Sequence, residues 1–132
     1  MKGDKLSEIK IVIPIAPVTK KNHQQIFYRK TSTARKPFVM PSAQYRAYAE
    51  DAAKFIPRRT EPIDYPVNVK CLFYMPTKRR VDLVNLLQSA CDVLVYGGVL
   101  KDDNNRIVTS HDGSRVLIDK ENPRTEIYIT EE

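Results

Sequence analysis

The segment from Leu83 to about Tyr96 constrains the fold of this chain most, because it is apolar along one side only. At about 100° per residue, one helix face collects the apolar side chains Leu83, Leu86, Leu87, Ala90, Val93 and Leu94. The opposite face carries Asn85, Gln88, Ser89 and Asp92. Asp82 is placed to cap the first turn, and Gly97-Gly98 ends the pattern. The segment predicts an amphipathic helix that buries one face against a second layer.

Strand-like runs on both sides of this helix supply the second layer. The β-branched run 9–13 ends at Pro14, and the alternating run 67–74 ends before Pro76. Residues 125–129 alternate as a closing strand, after a turn signal at 121–123. Between them, Asp112-Gly113 separates the apolar runs 106–110 and 116–118, which predicts a hairpin turn or a strand bulge.

A second amphipathic helix is predicted from Ser42, a plausible N-cap, to about Ile56, where Pro57 ends it. Its aromatic side chains Tyr45 and Tyr48 repeat at helical spacing, which favours a place in the core over base stacking. The predicted fold class is therefore α+β, with a mixed sheet of about four to five strands packed in two layers against two helices.

Size and composition are typical of one domain spanning residues 1–132. The 132 residues, 42% of them hydrophobic, suffice for one core and are too few for two ordinary domains. No window approaches the roughly 18 apolar residues of a membrane span, and no signal-peptide core follows the N-terminus, so a cytoplasmic location is expected. Cys71 and Cys91 lack metal-ligand spacing and are interpreted as core residues.

Cations are concentrated in the segment from Pro17 to Pro37. It shows little periodicity, predicts a long surface loop, and carries Lys20, Lys21, Arg29, Lys30, Arg35 and Lys36. The net charge of +6 likewise favours a polyanionic partner. Such a loop is either functional or a solvated flank, and both interpretations stay open.

The tract from Lys78 to Asp103 combines a basic cluster with carboxylates at both ends of the predicted helix. Phosphodiester hydrolysis needs an activated water and neutralisation of developing charge, which Mg²⁺ held by carboxylates supplies. Magnesium usually takes one or two protein carboxylates, so Asp82 with Asp103 could suffice. The alternative interpretation is structural: Asp82 as a cap, Asp102-Asp103 as an acidic turn, and Asp92 as a solvated residue.

In order and spacing, these residues resemble the RusA family of Holliday-junction resolvases, small dimeric endonucleases of bacteria and their phages. The resemblance rests on the basic cluster, on Asp82-Leu83-Val84-Asn85-Leu86, on Asp92-Val93-Leu94 and on Lys101-Asp102-Asp103, and it extends along most of the chain. The family motif is similar to Asp-x-Asp-Asn-x-x-Lys, followed by an Asp-Asp pair. It implies that Asp82 and Asp103 bind the metal, with Asp102 as a further catalytic candidate.

Two positions depart from the family motif. Val84 stands where the family has its second aspartate, and Gln88 stands where it has a lysine. Three hypotheses stay open. The first is that Asp102, Asp92 or Asp112 supplies the absent carboxylate, with Asp112 preferred because His111 and Arg115 lie near it in the sequence. The second is that two carboxylates are enough, and the third is that the chain binds junctions without cutting them efficiently.

The resemblance also implies cofactor and partners. It implies Mg²⁺, with Mn²⁺ as a substitute, a four-way or branched DNA substrate in recombination and repair, and a two-fold homodimer with two active sites. The residues expected to contact DNA are Lys20, Lys21, Asn22, Lys78, Arg79, Arg80 and Asn85. Two other classes stay open: a non-catalytic DNA-binding protein of phage recombination, and a basic scaffold without a nucleic-acid role.

Overall fold

The computed structural model describes residues 7–19, 24–30, 35–41 and 43–132, the second and third of these ranges by their backbone. These residues form two helices, α1 (Ala43–Ala53) and α2 (Leu83–Tyr96). They also form seven strands: β1 (Ile9–Ile13), β2 (Gln24–Lys30), β3 (Arg35–Pro41), β4 (Val67–Met75), β5 (Val108–Ser110), β6 (Arg115–Ile118) and β7 (Arg124–Glu131). Neither helix in the described ranges is long and apolar enough to cross a membrane.

Five strands build one mixed sheet, which confirms the predicted α+β class. Its order is β1-β7-β4-β5, with β6 also paired to β4. Strand β7 runs antiparallel to β1 and β4, whereas β5 and β6 run parallel to β4. A parallel neighbour requires a crossover connection, and α2 provides it between β4 and β5. The amphipathic helix therefore lies on one sheet face because the chain must cross from one end of β4 to the other.

Strands β5 and β6 form one interrupted edge along β4. Val67 pairs with Val108 near the start of β4, and Leu72 to Met75 pair with Arg115 to Ile118 near its end. The Asp112-Gly113 turn between them is thus a bulge in an edge strand. Of the two interpretations of this dipeptide, the hairpin turn is wrong, because both flanking strands pair with the same neighbour in the same direction.

The core lies between one face of the sheet and the two helices. Residues of β4 alternate in burial, so that Val67, Val69, Cys71 and Phe73 are at most 2% exposed. Side chains of α1 cover the same face, where Tyr45 and Tyr48 are buried, as their spacing predicts. Burial raises the pKa of Tyr48 to about 12. Both cysteines are buried and form no disulfide, which confirms their interpretation as core residues.

The prediction of a loop between Pro17 and Pro37 is wrong for much of that segment, because it contains strand β2 and the start of β3. Strands β2 and β3 pair antiparallel in a separate two-stranded sheet, with Phe27 opposite Phe38. The sequence masks this hairpin because cations interrupt the apolar pattern and β3 contains two prolines. Proline is tolerated there because each strand of a two-stranded sheet has an unpaired edge. The N-cap Ser42 and residues 20–23 lie outside the described ranges.

Gly113 offers a test of the edge-strand bulge. Its φ of +88° is strained for any residue with a Cβ, and an added Cβ would lie 2.7 Å from Cδ of Lys70. We expect Gly113→Ala to lower the free energy of unfolding by about 1–3 kcal/mol in urea denaturation. Gly98→Ala is the matched control, because Gly98 has a φ of +80° and no neighbour within 4 Å of the added atom. The larger loss of unfolding free energy expected for Gly113→Ala should disappear when Lys70 is also replaced by alanine. Equal losses for the two glycine variants would contradict the prediction.

Candidate active site

Asp82 is the N-cap of α2, and its carboxylate stabilises the first turn. Its Oδ1 accepts hydrogen bonds from the backbone N–H groups of Val84 at 2.9 Å and Asn85 at 3.4 Å. Capping satisfies backbone donors that the helix leaves unpaired. The other carboxylate oxygen takes part in no hydrogen bond with the described residues, and Asp82 is exposed. The structural interpretation of Asp82 is therefore confirmed, while one oxygen stays available to a cation.

A basic cluster of Lys78, Arg79 and Arg80 lies in the β4–α2 connection, separated from Asp82 by Val81. All three side chains are exposed, and none forms an ion pair within the described ranges. Their charges lie next to the N-terminus of α2, whose backbone dipole also favours anions. This end of the sheet therefore combines three uncompensated cations and an accessible carboxylate.

The two departures from the family motif lie on the exposed side of α2. Val84 is 68% exposed in the first turn of the helix, and Gln88 is exposed one turn later. Neither residue is required by the core, because an exposed side chain on a helix contributes little packing. The missing aspartate and lysine therefore change the chemistry of this surface and leave the fold intact.

Asp102 and Asp103 lie in the loop that follows α2, and their carboxylates differ in the hydrogen bonds that they accept. Oδ1 of Asp102 accepts from the Asp103 backbone N–H at 2.8 Å, and its Oδ2 accepts from the Asn104 amide at 3.1 Å. These two bonds hold the pKa of Asp102 below its ordinary value. The turn interpretation is thus confirmed for Asp102, whereas Asp103 contributes its backbone N–H to that turn and keeps an exposed carboxylate.

Together with its burial, the charges of Asp103 and Asp92 raise the pKa of the Cys91 thiol, which lies in the third turn of α2. Burial raises the pKa of Cys91 to about 12, and the charges of Asp103 and Asp92 act in the same direction. Asp92 is half-buried, and its charge adds to the burial that raises the pKa of Tyr45. The interpretation of Asp92 as a solvated residue is therefore wrong, because it lies between α1 and the loop that carries Asp103.

The sequence pattern also wrongly predicts that Ser89 lies on the solvent-facing side of α2. It is 2% exposed, its hydroxyl donates to the backbone carbonyl of Val18 at 2.7 Å, and it is hydrogen-bonded to Tyr45. The side of α2 predicted to face solvent is covered there by α1 and by the segment after β1. The missed signal is that Cys91 and Val95 extend the apolar stripe around the helix, as in a helix covered on more than one side.

Asp112 lies at the opposite end of β4 from Asp82. Its backbone N–H donates to Oδ1 of Asn68 at 2.8 Å, near the start of β4, whereas Asp82 follows the end of that strand. Asn68 and Met75 are seven positions apart, which is about 23 Å of extended strand. The structure therefore does not bring Asp112 to the Asp82 site.

The described residues contain no group of three or more histidine, cysteine, aspartate or glutamate side chains arranged to hold a metal ion. The exposed carboxylates Asp82 and Asp103 nevertheless have the hard oxygen donors that magnesium prefers. The donor type suits magnesium, which usually takes one or two protein carboxylates, although Asp82 lies at the first turn of α2 and Asp103 lies near the third. Of the predicted DNA contacts, Asn85 is half-buried in the first turn of α2, and Lys20, Lys21 and Asn22 lie outside the described ranges.

Comparison with known proteins shows the family to which the chain belongs. The family profile described as endodeoxyribonuclease RusA matches residues 14–130, which is nearly the whole chain. The chain belongs to the RusA family. The crossover junction endodeoxyribonuclease RusA of Aquifex aeolicus (strain VF5) is similar, with 30% identity over 99 residues that cover 75% of each chain. RusA-family nucleases are metal-dependent, and the predicted resemblance of the chain to the RusA family is confirmed.

Two substitutions of Asp82 separate its capping role from a catalytic role. Asparagine caps a helix about as well as aspartate, so Asp82→Asn should change the free energy of unfolding by no more than a few tenths of a kcal/mol. Asp82→Ala should lower it by about 1 kcal/mol, because two backbone N–H groups of α2 lose their acceptor. Urea denaturation of both variants measures the difference. Equal stability of the two variants would show that the cap contributes nothing.

Proposed function

We propose that this chain is a magnesium-dependent endonuclease that resolves Holliday junctions or other branched DNA by paired nicks. The observation that carries the proposal is the exposed Asp82 carboxylate at the N-terminus of α2 in a RusA-family chain. It lies two residues after a cluster of three cations that form no ion pair with the described residues. The name of the Aquifex relative, a crossover junction endodeoxyribonuclease, supports the choice of substrate.

The basic cluster, Asp82 and Asp103 each have a role in the proposed reaction. Lys78, Arg79 and Arg80 attract the phosphate backbone, and such contacts position DNA without reading its sequence, which suits recognition of a branched shape. Asp82 and Asp103 would hold the magnesium ion. When bound, the ion supplies charge neutralisation and an acidified water. The cap bonds restrict the Asp82 side chain, so its second oxygen is held in a fixed place without a further ordering cost.

The loss of the second family aspartate at Val84 favours a site with few protein ligands. Asp112 is separated from Asp82 by the length of β4, and Asp102 uses both oxygens within its own turn. Asp92 is the remaining candidate for a third carboxylate, because it lies beside Asp103 around Cys91. The absence of the lysine at Gln88 fits a site with one less negative charge.

A homodimer is part of the proposal. Two nicks placed symmetrically across a four-way junction require two active sites, and a two-fold axis relates them most simply. A second candidate function is a branched-DNA-binding protein that does not cut. The exposed Val84 favours it, since valine cannot coordinate a metal ion. A gel assay of labelled four-way and linear DNA, with and without Mg²⁺ or Mn²⁺, separates the two.

The nuclease proposal predicts loss of cleavage on removal of either exposed carboxylate. Asp82→Asn and Asp103→Asn should each reduce Mg²⁺-dependent junction cleavage by a factor of about 100 or more, because each removes a ligand charge while α2 stays folded by circular dichroism. Asp112→Asn is the matched control and should cut like the wild type. A wild-type protein that binds junctions and never nicks them with either metal would refute the nuclease and favour the binding protein.

The basic cluster is tested by charge reversal in DNA binding. Arg79→Glu with Arg80→Glu should weaken junction binding and flatten the dependence of its affinity on salt, because fewer counterions are released from DNA. Lys54→Glu with Arg58→Glu reverses the same number of charges at the far end of α1 and should have little effect on either quantity. Unchanged affinity and slope for the Arg79 and Arg80 variant, measured by fluorescence anisotropy in EDTA, would remove this cluster from the binding surface.

A further inference from the structure

The β2–β3 hairpin places four cations in cross-strand register. Arg29 lies opposite Lys36, and Lys30 lies opposite Arg35, at the end of the ribbon farthest from its connections to β1 and α1. Like charges directly opposite each other destabilise an antiparallel pair. The chain contains no aspartate or glutamate between Glu8 and Glu50 to compensate them. The hairpin therefore has a charge excess that an external anion would relieve.

The hairpin is also a poor structure on its own. It forms a separate two-stranded sheet and pairs with no strand of the five-stranded sheet. A two-stranded hairpin is at best marginally stable in water. A negatively charged partner that lies along the hairpin would therefore bind it and also stabilise it.

The described segment that precedes the hairpin, up to Thr19, is attached to α2, the helix that Asp82 caps. The segment is held by the bond from Ser89 to the Val18 carbonyl, and Thr19 is buried beside it. Ser89 lies in α2, and its hydrogen bond to Tyr45 adds α1 to the same junction. The described segment before the hairpin and the helix after it are therefore both attached to α2.

We propose that the β2–β3 hairpin is a DNA-binding ribbon that lies in a groove of one duplex arm of the branched substrate. Each strand has seven residues, about 23 Å of ribbon, and the major groove of DNA, about 12 Å wide, admits a two-stranded ribbon. The four cations, two on each strand, supply charge complementarity to the DNA phosphates. The inference rests on the proposed function, because it takes branched DNA as the partner.

The test neutralises the four cations together. The variant Arg29→Gln, Lys30→Gln, Arg35→Gln and Lys36→Gln should bind a four-way junction and a linear duplex at least tenfold more weakly, by anisotropy in EDTA at about 0.1 M salt. The magnitude of its salt slope should fall by about 2 to 3.5, since each lost phosphate contact contributes about 0.9. Lys54→Gln with Arg58→Gln is the control that also removes charge, and it should leave affinity nearly unchanged. Thermal unfolding should show no loss of stability, because the like-charge pairs are gone.

Two further measurements distinguish a groove from other partners. Amide hydrogen exchange in residues 24–41 should slow when duplex is added, and single-stranded DNA of equal length should lose little affinity in the fourfold variant. The proposal is overturned by unchanged junction affinity and slope, by an equal loss for single strands, or by a wild type that ignores DNA and binds an acidic peptide through the hairpin. DNA binding that depends on the hairpin, without any cleavage, would refute only the nuclease proposal and would support the proposal that the hairpin binds DNA.

Discussion

The burial of α2 against the sheet is the contact on which the rest of the structure depends. Strand β4 has a parallel neighbour, so the chain must return from its far end, and the apolar face of α2 covers the sheet as it does so. The connection before the helix consequently ends at Asp82, beside the basic cluster. The loop after it brings Asp103 back to the third turn of the same helix. One packing interaction thus sets the positions of both exposed carboxylates.

Asp82 shows how a residue can serve stability and function at one position. One of its oxygens completes the first turn of α2, which restricts the side chain, and the other stays accessible. The neighbouring positions of the family motif have no structural role of this kind. Val84 and Gln88 are exposed, so substitution there has little cost in packing, and the chemistry of the surface can change while the cap, the helix and the sheet persist.

Positive charge is divided between two parts of the molecule. Three cations lie at the β4–α2 connection, and four more lie in register on a hairpin that is separate from the main sheet. Hydrogen bonds of Ser89 connect α2 to the segment that precedes that hairpin and to α1, which follows it. This arrangement matches a substrate with several duplex arms better than a small anionic ligand, which would need only one compact site.

The sequence by itself determined the elements whose signals are local: the bounds of α2 and its cap, strands β1, β4 and β7, the α+β class, and the basic tract before Asp82. Periodicity and capping act within a few residues, so they can be recognised without the fold. Only the tertiary structure decided that Ser89 and Asp92 are covered by α1, that β5 and β6 share one edge of β4, and that Asp112 lies a strand's length from Asp82. Those facts depend on which distant segments meet, and the hairpin was hidden because its cations and prolines interrupt the pattern that its backbone pairing creates.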